Sequence, residues 1–270
     1  MTTIKMPLIE SDQTIAVAYL VRGVGEDWFL SCNRFLDSYI RHDSGVNHSL
    51  YVIFKGFSNC DDLEKAKKLF NRVQYKPIFL EDNSFDIGAY IEWANIIEED
   101  SLCVLNTASQ ILAHFWLAKL AVNLMRHEVG LVGATASYES LNELNSAFPI
   151  FPNIHIRSTA FMINRRLFCS ITNGLKISSK VDAFHFESGP QSLTQQVLAK
   201  NKKILLVGCN GRGYPPTQWA LSDTFRQGRQ LNLLVADNQT RNFISLPWAE
   251  KKEFILRTWG EYLGRCAGSF

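Results

Sequence analysis

The sequence has no hydrophobic run long enough for a membrane-spanning helix, which needs roughly 20 apolar residues in succession. The best candidate among its 270 residues runs from Ile111 to Met125, and it is interrupted by His114, Lys119 and Asn123. We therefore expect this stretch to form a helix buried in the protein. No transmembrane segment is predicted, whereas peripheral association with a membrane stays open.

An excess of charge of either sign is also missing. Lys and Arg together number 28 and Asp and Glu together 26, which gives a formal net charge of +2. The acidic and basic residues are interspersed along the chain, without an extended basic stripe. Because non-specific binding of nucleic acid depends on clustered positive charge, we do not expect a nucleic-acid partner.

Paired cysteines and a secretory signal are absent too. The N-terminal stretch carries Lys5, Glu10 and Asp12 and lacks the apolar segment of a signal peptide. No Cys-x-x-Cys spacing occurs, and several cysteines lie inside apolar runs, where a free thiol behaves as a small hydrophobic group. We predict a cytoplasmic protein whose cysteines are reduced and structural. The six cysteines are Cys32, Cys60, Cys103, Cys169, Cys209 and Cys266.

Several motifs that identify common enzyme classes do not occur. No pair of histidines has a metal-ligand spacing such as His-x-x-x-His. No predicted strand is followed by a Gly-x-Ser-x-Gly hydrolase motif, a Walker phosphate-binding loop or a dinucleotide-binding Gly-x-Gly-x-x-Gly. The segment Gly211-Arg212-Gly213 lacks the third glycine and follows a late strand. We treat all six histidines as structural, namely His42, His48, His114, His127, His155 and His185.

What the sequence does contain is an alternation of short apolar runs with amphipathic stretches, in a chain that is 46% hydrophobic. Residues 15–21 form a β-branched apolar run, which is typical of a strand buried on both faces of a parallel sheet. The alternation predicts an α/β fold with a mostly parallel sheet flanked by helices. The predicted strands are 15–21, 50–54, 76–80, 101–105, 129–134, 154–163 and 203–207, and the predicted helices are 28–41, 61–73, 88–98, 111–127, 192–200 and 251–263.

The composition changes after residue 207. Gly, Pro, Arg and Gln become frequent, as in the stretch from Asn210 to Pro216. Glycine and proline mark loops, and loops on an α/β scaffold commonly carry ligand-binding residues. We predict a core over residues 1–207 and, within the same domain, a loop-rich C-terminal segment over residues 208–270 that covers the cleft and ends in a closing helix.

Polar side chains follow two of the predicted elements where an open α/β sheet binds ligands. Asn106, Thr107 and Ser109 end a predicted strand, and they are either ordinary turn residues or ligands of a bound molecule. Asp86 precedes a predicted helix and is either its N-cap or a ligand-binding carboxylate. Gly88 lies just inside that helix, where glycine is unfavourable unless a ligand approaches the backbone closely.

This order of features resembles bacterial GT-A-type glycosyltransferases of surface-polysaccharide biosynthesis, including the family-two-like and rhamnan-synthesis-like groups. The resemblance covers roughly residues 17–243. The segments that carry it are Val21-Arg22-Gly23, Lys55-Gly56-Phe57, Asp86-Ile87-Gly88-Ala89-Tyr90, Leu105-Asn106-Thr107-Ala108-Ser109, Arg157-Ser158-Thr159-Ala160-Phe161-Met162, Glu187-Ser188-Gly189 and the stretch from Thr224 to Arg241.

The resemblance implies a GT-A-like, Rossmann-like core that binds a nucleoside-diphosphate sugar, with a saccharide or lipid-linked saccharide as acceptor. Glu187 would be the general base of an inverting transfer, with Asp182 as the second candidate. Arginines are the best diphosphate ligands because their guanidinium groups bind phosphate oxygens bidentately. The donor-binding residues that the resemblance implies are Arg22, Lys55, Asp86, Gly88, Asn106, Ser109, Arg226 and Arg241.

The usual metal ligands of such enzymes are missing. Many of them end the fourth strand with two aspartates around one residue, where this chain has Asn106 and Ala108. Neutral side chains are poor ligands for Mg²⁺, which prefers anionic oxygens. We therefore predict no metal-binding residues and no required cofactor, although Mg²⁺ or Mn²⁺ held by phosphate and water stays open.

Two other functions are compatible with the same residues. One is a metal-requiring transferase whose ion is bound elsewhere in the protein. The other is a non-catalytic saccharide-binding or assembly subunit derived from a glycosyltransferase. The presence of Glu187 and the arginine-rich C-terminal segment favour an enzyme.

Overall fold

The computed structural model describes residues 13–24 and 27–262. The N-terminal stretch, for which no secretory signal is predicted, lies outside these residues. Within them, helices cover both faces of a central β-sheet. The strands are β1 (Ile15–Arg22), β2 (Ser49–Lys55), β3 (Lys76–Phe79), β4 (Ser101–Leu105), β5 (Gln110–Ile111), β6 (Val129–Gly133), β7 (Ala136–Ser137), β8 (His155–Ile156), β9 (Ala160–Asn164), β10 (Lys203–Val207), β11 (Gly213–Tyr214) and β12 (Val235–Ala236). The α-helices are α1 (Trp28–Arg41), α2 (Cys60–Phe70), α3 (Phe85–Ile96), α4 (Trp116–Leu124), α5 (Arg165–Thr172), α6 (Lys180–Ser188), α7 (Leu193–Ala199), α8 (Asn238–Ser245) and α9 (Trp248–Trp259).

The main sheet has eight strands in the order β11-β10-β6-β9-β4-β1-β2-β3. Six of them run parallel, while β9 is antiparallel between β4 and β6, and β11 is antiparallel at one edge. Two small antiparallel sheets, β5 with β12 and β7 with β8, lie outside it. The predicted α/β fold with a mostly parallel sheet flanked by helices is confirmed.

Strand β1 shows why the sheet forms where it does. Ala16, Ala18 and Leu20 point into the core on one face of the sheet, and Val17 and Tyr19 into the core on the other. All five are completely buried. Because neither face of the strand meets water, its sequence is a continuous apolar run and not an alternation of apolar and polar residues.

The predicted helix over residues 111–127 is wrong at its beginning. Ile111 belongs to β5 and pairs with Val235, and helix α4 begins only at Trp116. Phe115, with a φ of 59°, separates the two elements. The apolar pattern of this stretch fits a helix throughout, but pairing with a distant strand determines the conformation of its first residues.

Helices α6 and α8 were not predicted from the sequence. Each begins with a reciprocal capping box, formed by Ser179 with Asp182 and by Asp237 with Thr240. The last predicted helix, over residues 251–263, corresponds to α9, which begins three residues earlier; Leu263 lies outside the described residues.

The part of the C-terminal segment up to residue 262 packs into the core of the protein. It contributes β11 to the main sheet and β12 to the pairing with β5. Trp259 on α9 is completely buried and donates its indole N–H to the carbonyl of Phe225 at 2.9 Å. The division of the chain at residue 207 and the covering role of the segment stay predictions. Among the described residues, no helix combines the length and the apolar character needed to cross a bilayer.

Candidate active site at the carboxyl edge of the sheet

The strand register distributes the predicted site residues along one edge of the sheet. Arg22 at the end of β1 is paired with Lys55 at the end of β2. On the other side of β1, Leu105 at the end of β4 is paired with Ala160 at the start of β9, and Asn106 follows directly. Because neighbouring strands lie about 4.8 Å apart, the row from β2 to β9 is about 14 Å long.

One end of this row is a cluster of charged side chains around Asp82. Its carboxylate bonds Arg22 at 3.0 Å and Lys55 at 3.3 Å. The ammonium of Lys55 is fully buried and also donates to the carbonyl of Phe85 at 2.7 Å. Burial alone would raise the pKa of Asp82, but Arg22 and Lys55 outweigh it and the net pKa is lowered. Asp82 therefore holds the two predicted donor-binding cations in place.

Asp86 belongs to the same cluster but does not cap its helix. Ser84 occupies the N-cap position of α3, and Asp86 lies in the first turn, where the helix dipole favours a carboxylate. Burial raises the pKa of Asp86, although Arg22 and Lys55 oppose this effect. Within the described residues no hydrogen bond to its carboxylate is found. Asp86 is therefore able to accept a hydrogen bond from a bound molecule.

Gly88 has a packing reason for being glycine. A Cβ atom at this position would lie 2.3 Å from the Cβ of Ser84, one turn earlier in the chain. This distance is far below van der Waals contact, so the close approach that requires glycine is made by Ser84 and needs no ligand.

Replacing Gly88 with alanine should destabilise the protein by about 1–3 kcal/mol, the usual cost of overpacking. Chemical denaturation would measure the change in the free energy of unfolding. The double variant S84G/G88A removes the clashing Cβ and should recover much of the loss, because glycine at an N-cap costs only a few tenths of a kcal/mol relative to serine. Equal stability of G88A and the wild type would contradict this explanation.

The loop after β4 is held in place by its own side chains and by the neighbouring strand. Asn106 donates its backbone N–H to the carbonyl of Thr159 at 3.1 Å. Ser109 is buried and donates its hydroxyl to the side-chain oxygen of Asn106 at 3.0 Å. Tyr19 donates its hydroxyl to the carbonyl of Thr107 at 2.8 Å. In this position Ser109 can act on a ligand only by orienting Asn106.

Arg241 on α8 lies against this loop. Its Nη2 atom donates to the carbonyl of Ala108 at 3.0 Å. Its Nη1 atom is buried and has no hydrogen-bond partner in the part of the chain that the structure describes. Arg241, one of the two predicted donor-binding arginines of the C-terminal segment, is therefore held beside the loop that contains Asn106, and its role in donor binding stays a prediction.

A cleft of about 350 Å³ lies at the other end of the row. Glu187 and Arg226 both line it, whereas Asp86 and Asn106 are not among the described residues of its wall. The polar and charged side chains of the wall are Ser137, Glu139, His155, Arg157, Glu187, Ser188, Arg226, Gln239, Asn242 and Arg257.

Glu187 is held in the cleft by Ser158. One carboxylate oxygen accepts the backbone N–H of Ser158 at 2.6 Å and also its hydroxyl. Glu187 lies in the last turn of α6, where the helix dipole disfavours a carboxylate. Among the described residues it forms no ion pair. The side chain is partly exposed, so the second carboxylate oxygen can meet a molecule in the cleft.

Asp182, the second candidate base, has a structural role in the N-terminal cap of α6. Its carboxylate accepts the backbone N–H groups of Ser178 and Ser179 at 3.0 and 2.8 Å. These bonds, together with the capping bond from Ser179, keep the carboxylate at the helix terminus.

His155 is a buried neighbour of Glu187. Its Nδ1 bonds the carbonyl of Asn153 at 2.8 Å, so this nitrogen carries the proton and donates. Burial lowers the pKa of His155, while the negative charge of Glu187 opposes the shift. His155 therefore stays neutral near pH 7 and adds no positive charge next to the candidate base. The sequence offered no signal for its position in the cleft wall.

A buried ion pair joins Arg157, in the wall of the cleft, to Asp237, the N-cap residue of α8. Arg157 Nη1 and Asp237 Oδ2 lie 2.8 Å apart, with only 5% and 3% of their side chains exposed. The guanidinium of Arg157 also lies 4.0 Å from the ring centroid of Phe225. Burial alone would raise the pKa of Asp237, but Arg157 and Thr240 outweigh it and the net pKa is lowered.

Arg226 is largely engaged by the protein itself. It donates to Glu139 at 2.9 Å, to Thr258 at 3.0 Å and to Gln239 at 3.1 Å. These three bonds use part of the five N–H donors of a guanidinium and link the cleft to α8 and α9. Glu139 also pairs with Arg257 at 2.7 Å. Arg226 thus faces the cleft with its charge partly offset by Glu139, which it shares with Arg257.

The residues at the end of β4 do not fit a divalent metal ion. The side-chain oxygen of Asn106 accepts a hydrogen bond from Ser109, Ala108 has no ligand atom in its side chain, and Asp237 is engaged by Arg157. No group of three His, Cys, Asp or Glu residues with metal-binding geometry occurs within residues 13–24 and 27–262.

The acidic partners of this site were not predicted from the sequence. Asp82 follows the predicted third strand, and a carboxylate directly after a strand end is a usable signal. Asp237 and Glu139 lie in polar stretches that resemble ordinary surface loops. Arg157 lies in one of the segments that carry the resemblance, but its pairing with Asp237, 80 residues away, has no local signal.

Comparison with known proteins gives similarities in fold only. No protein-family model matches the chain, and no curated protein matches it. Among solved structures, 4-diphosphocytidyl-2C-methyl-D-erythritol synthase from Anaerococcus prevotii is 12% identical over 72% of this chain and 88% of its own, with a TM-score of 0.47. Mouse xyloside xylosyltransferase 1 is 11% identical over 73% of this chain and 85% of its own, with a TM-score of 0.44.

A third solved structure is glucosyl-3-phosphoglycerate synthase from Mycobacterium tuberculosis, in complex with Mn²⁺, uridine diphosphate and phosphoglyceric acid. It is 14% identical over 58% of this chain and 57% of its own, with a TM-score of 0.40. At such low identities and TM-scores, these likenesses assign neither an activity nor a site residue to this chain.

Proposed function

We propose that this chain is a glycosyltransferase that moves a sugar from a nucleoside-diphosphate sugar to a hydroxyl group of a saccharide or lipid-linked saccharide. The observation that carries the proposal is Glu187, a carboxylate fixed by Ser158 in the wall of a cleft at the carboxyl edge of the sheet. Open α/β sheets bind their ligands at this edge. We further propose that the acceptor is a growing surface polysaccharide.

The row of polar groups along the edge suits an extended donor. The cluster of Arg22, Lys55 and Asp86 at one end offers both hydrogen-bond donors and a carboxylate for the nucleoside. The cleft around Glu187 at the other end has room for a sugar and an acceptor hydroxyl. The diphosphate would then lie between them, near Asn106 and Arg241.

In the proposed reaction Glu187 acts as general base. Its free oxygen takes the proton from the acceptor hydroxyl while that oxygen attacks the anomeric carbon of the donor. The new glycosidic bond forms as the bond from the anomeric carbon to the diphosphate breaks, and the electron pair leaves with the diphosphate. Attack opposite to the leaving group inverts the configuration at the anomeric carbon.

Positive side chains stabilise the departing diphosphate in this proposal, and a metal ion is not required. The side chains at the end of β4, Asn106 and Ala108, support this choice because neither of them is a carboxylate. A metal-requiring transferase with its ion elsewhere is the enzymatic alternative. A non-catalytic saccharide-binding or assembly subunit is the other, and the orientation of Glu187 by Ser158 favours an enzyme over it.

A nucleotide-binding screen tests the proposal. At least one of UDP, GDP, CDP and dTDP should raise the melting temperature, because a ligand at 100 times its Kd stabilises the native protein by about 2.7 kcal/mol. The corresponding nucleosides, which lack phosphate, are the matched controls and should give smaller shifts. The shift should persist in EDTA.

Loss of the shift in EDTA would support the metal-requiring alternative. With the nucleotide identified, transfer or hydrolysis of the corresponding sugar nucleotide by the purified protein separates the enzyme from the binding subunit. Absence of any nucleotide effect, with and without Mg²⁺ or Mn²⁺, would contradict the proposal.

A further inference from the structure

Arg34 on α1 lies close enough to Arg241 to act on its charge, near the middle of the row of polar groups. Four residues further along α1, Ser38 accepts the backbone N–H of Ile111 at 3.0 Å, which fixes this part of the helix against the start of β5. Residues four apart lie on the same helix face, so Arg34 is directed toward the preceding loop. Arg34 accordingly interacts electrostatically with both Tyr19 and Arg241.

In the part of the chain that the structure describes, the positive charges of these two arginines are compensated only weakly, by Asp237 acting through space on Arg241. Among the described residues, neither Arg34 nor Arg241 forms an ion pair, and the nearby carboxylate of Asp237 is engaged by Arg157 at 2.8 Å. The Nη1 atom of Arg241 is buried without a partner. Burial lowers the pKa of Arg241, and Arg34 lowers it further. Two neighbouring cations with a buried free donor are unfavourable unless an anion binds between them.

The loop after β4 fixes the direction of this pair. Arg241 Nη2 is bound to the carbonyl of Ala108, and Thr107 of the same loop accepts the hydroxyl of Tyr19. The guanidinium of Arg241 therefore cannot turn away toward solvent without losing its bond to the loop. Its free Nη1 donor and the nearby charge of Arg34 together place positive charge beside the end of β4.

We propose that Arg34 and Arg241 together form the binding site for the diphosphate of the donor, at the place where related enzymes would hold a metal ion. The identity of the anion as a nucleoside diphosphate rests on the proposed function, whereas the anion site itself rests on the two arginines. A planar guanidinium binds two phosphate oxygens at once, so two guanidinium groups suffice to engage both phosphates of a diphosphate.

The test is calorimetric titration of the full chain with inorganic pyrophosphate in EDTA. The wild type should bind, and R34Q and R241Q should each bind at least about tenfold more weakly, the loss expected for a charged hydrogen bond. R41Q is the matched control, because Arg41 is an exposed arginine on the same helix and its replacement changes the net charge equally. R41Q should bind like the wild type.

R34K keeps the positive charge but loses the bidentate geometry of the guanidinium group. Its affinity for pyrophosphate should therefore lie between those of the wild type and R34Q. This variant keeps the test decisive if R34Q or R241Q does not fold. No binding of pyrophosphate by the wild type in EDTA, or equal affinity of R34K, R34Q, R241Q and the wild type, would overturn the inference and leave the glycosyltransferase proposal standing. Weaker binding by these variants, in a protein that turns over no sugar nucleotide, would support the anion site and remove the proposed function.

Discussion

Replacing Glu187 with glutamine is expected to reduce turnover of the sugar donor by about 100-fold or more, the low end of what a general base contributes. Glutamine has the shape of glutamate and keeps a side-chain oxygen that can accept both bonds from Ser158. The fold of the cleft should therefore persist while the acceptor proton has no base to receive it. Steady-state kinetics with the donor identified in the nucleotide screen would measure the effect.

The expected loss lies in the chemical step and not in donor binding. The Kd of E187Q for the nucleoside diphosphate should equal that of the wild type, because the nucleotide lies at the other end of the row in the proposed arrangement. A lower kcat with unchanged nucleotide affinity is the signature of a group that acts in the transition state.

Asp182 provides the matched control on the same helix. D182N removes a carboxylate of α6 that is engaged by the backbone N–H groups of Ser178 and Ser179, so its kcat should stay close to that of the wild type. Unchanged turnover in E187Q would remove Glu187 from the mechanism. A large loss in D182N together with full activity in E187Q would transfer the role of base to Asp182.

The fold could be predicted because the central strands of its sheet are apolar on both faces. Strand β1, with Val17 and Leu20 buried on opposite sides, cannot be mistaken for an exposed element. The same argument did not predict α6, where Phe184 and Phe186 flank His185 in a short apolar run. Its start signal, Ser179 followed by Asp182, was present in the sequence and outweighs the apolar pattern in the structure.

Some cations of the site, such as Arg22 and Arg241, could be named in advance, but Arg34, the role of Arg157 and the acidic partners could not. Arg22 lies 60 residues from Asp82, and Arg157 lies 80 residues from Asp237. Such pairs form only when the strand order brings distant loops to the same edge of the sheet. For the same reason the sequence did not show that Arg226 pairs with Glu139, whereas Arg241 keeps a free donor.

Replacing Arg157 with methionine should lower the free energy of unfolding by about 3–5 kcal/mol at neutral pH, because it leaves the buried charge of Asp237 without a partner. Methionine can keep the packing against Phe225, so most of the loss is electrostatic. Chemical denaturation would measure it. The matched control is R72M, which breaks the exposed pair of Arg72 and Asp37 and should cost no more than about 1 kcal/mol.

The double variant R157M/D237N separates charge from packing. Asparagine at position 237 is still a good N-cap for α8, and it carries no charge that needs a partner. The double variant should therefore be more stable than R157M alone. A double variant as unstable as R157M would show that Arg157 stabilises the protein through packing, and the buried ion pair would lose its energetic role.

The pH dependence of R157M should have the opposite sign to that of the wild-type ion pair. In the wild type the pKa of Asp237 is lowered, so its stabilising contribution is present above the unfolded-state pKa of about 3.9 and is lost as the pH falls through the folded-state value. Without Arg157, burial raises the pKa of Asp237 above the unfolded-state value, and protonation then stabilises the folded protein. The deficit of R157M relative to the wild type should accordingly shrink as the pH falls from 7 toward about 4, whereas R157M/D237N has no titrating group at this position and should show no such recovery. A deficit that stays constant over this range would mean that Asp237 does not titrate between pH 7 and 4 in R157M, and the prediction that its pKa is raised without Arg157 would be wrong.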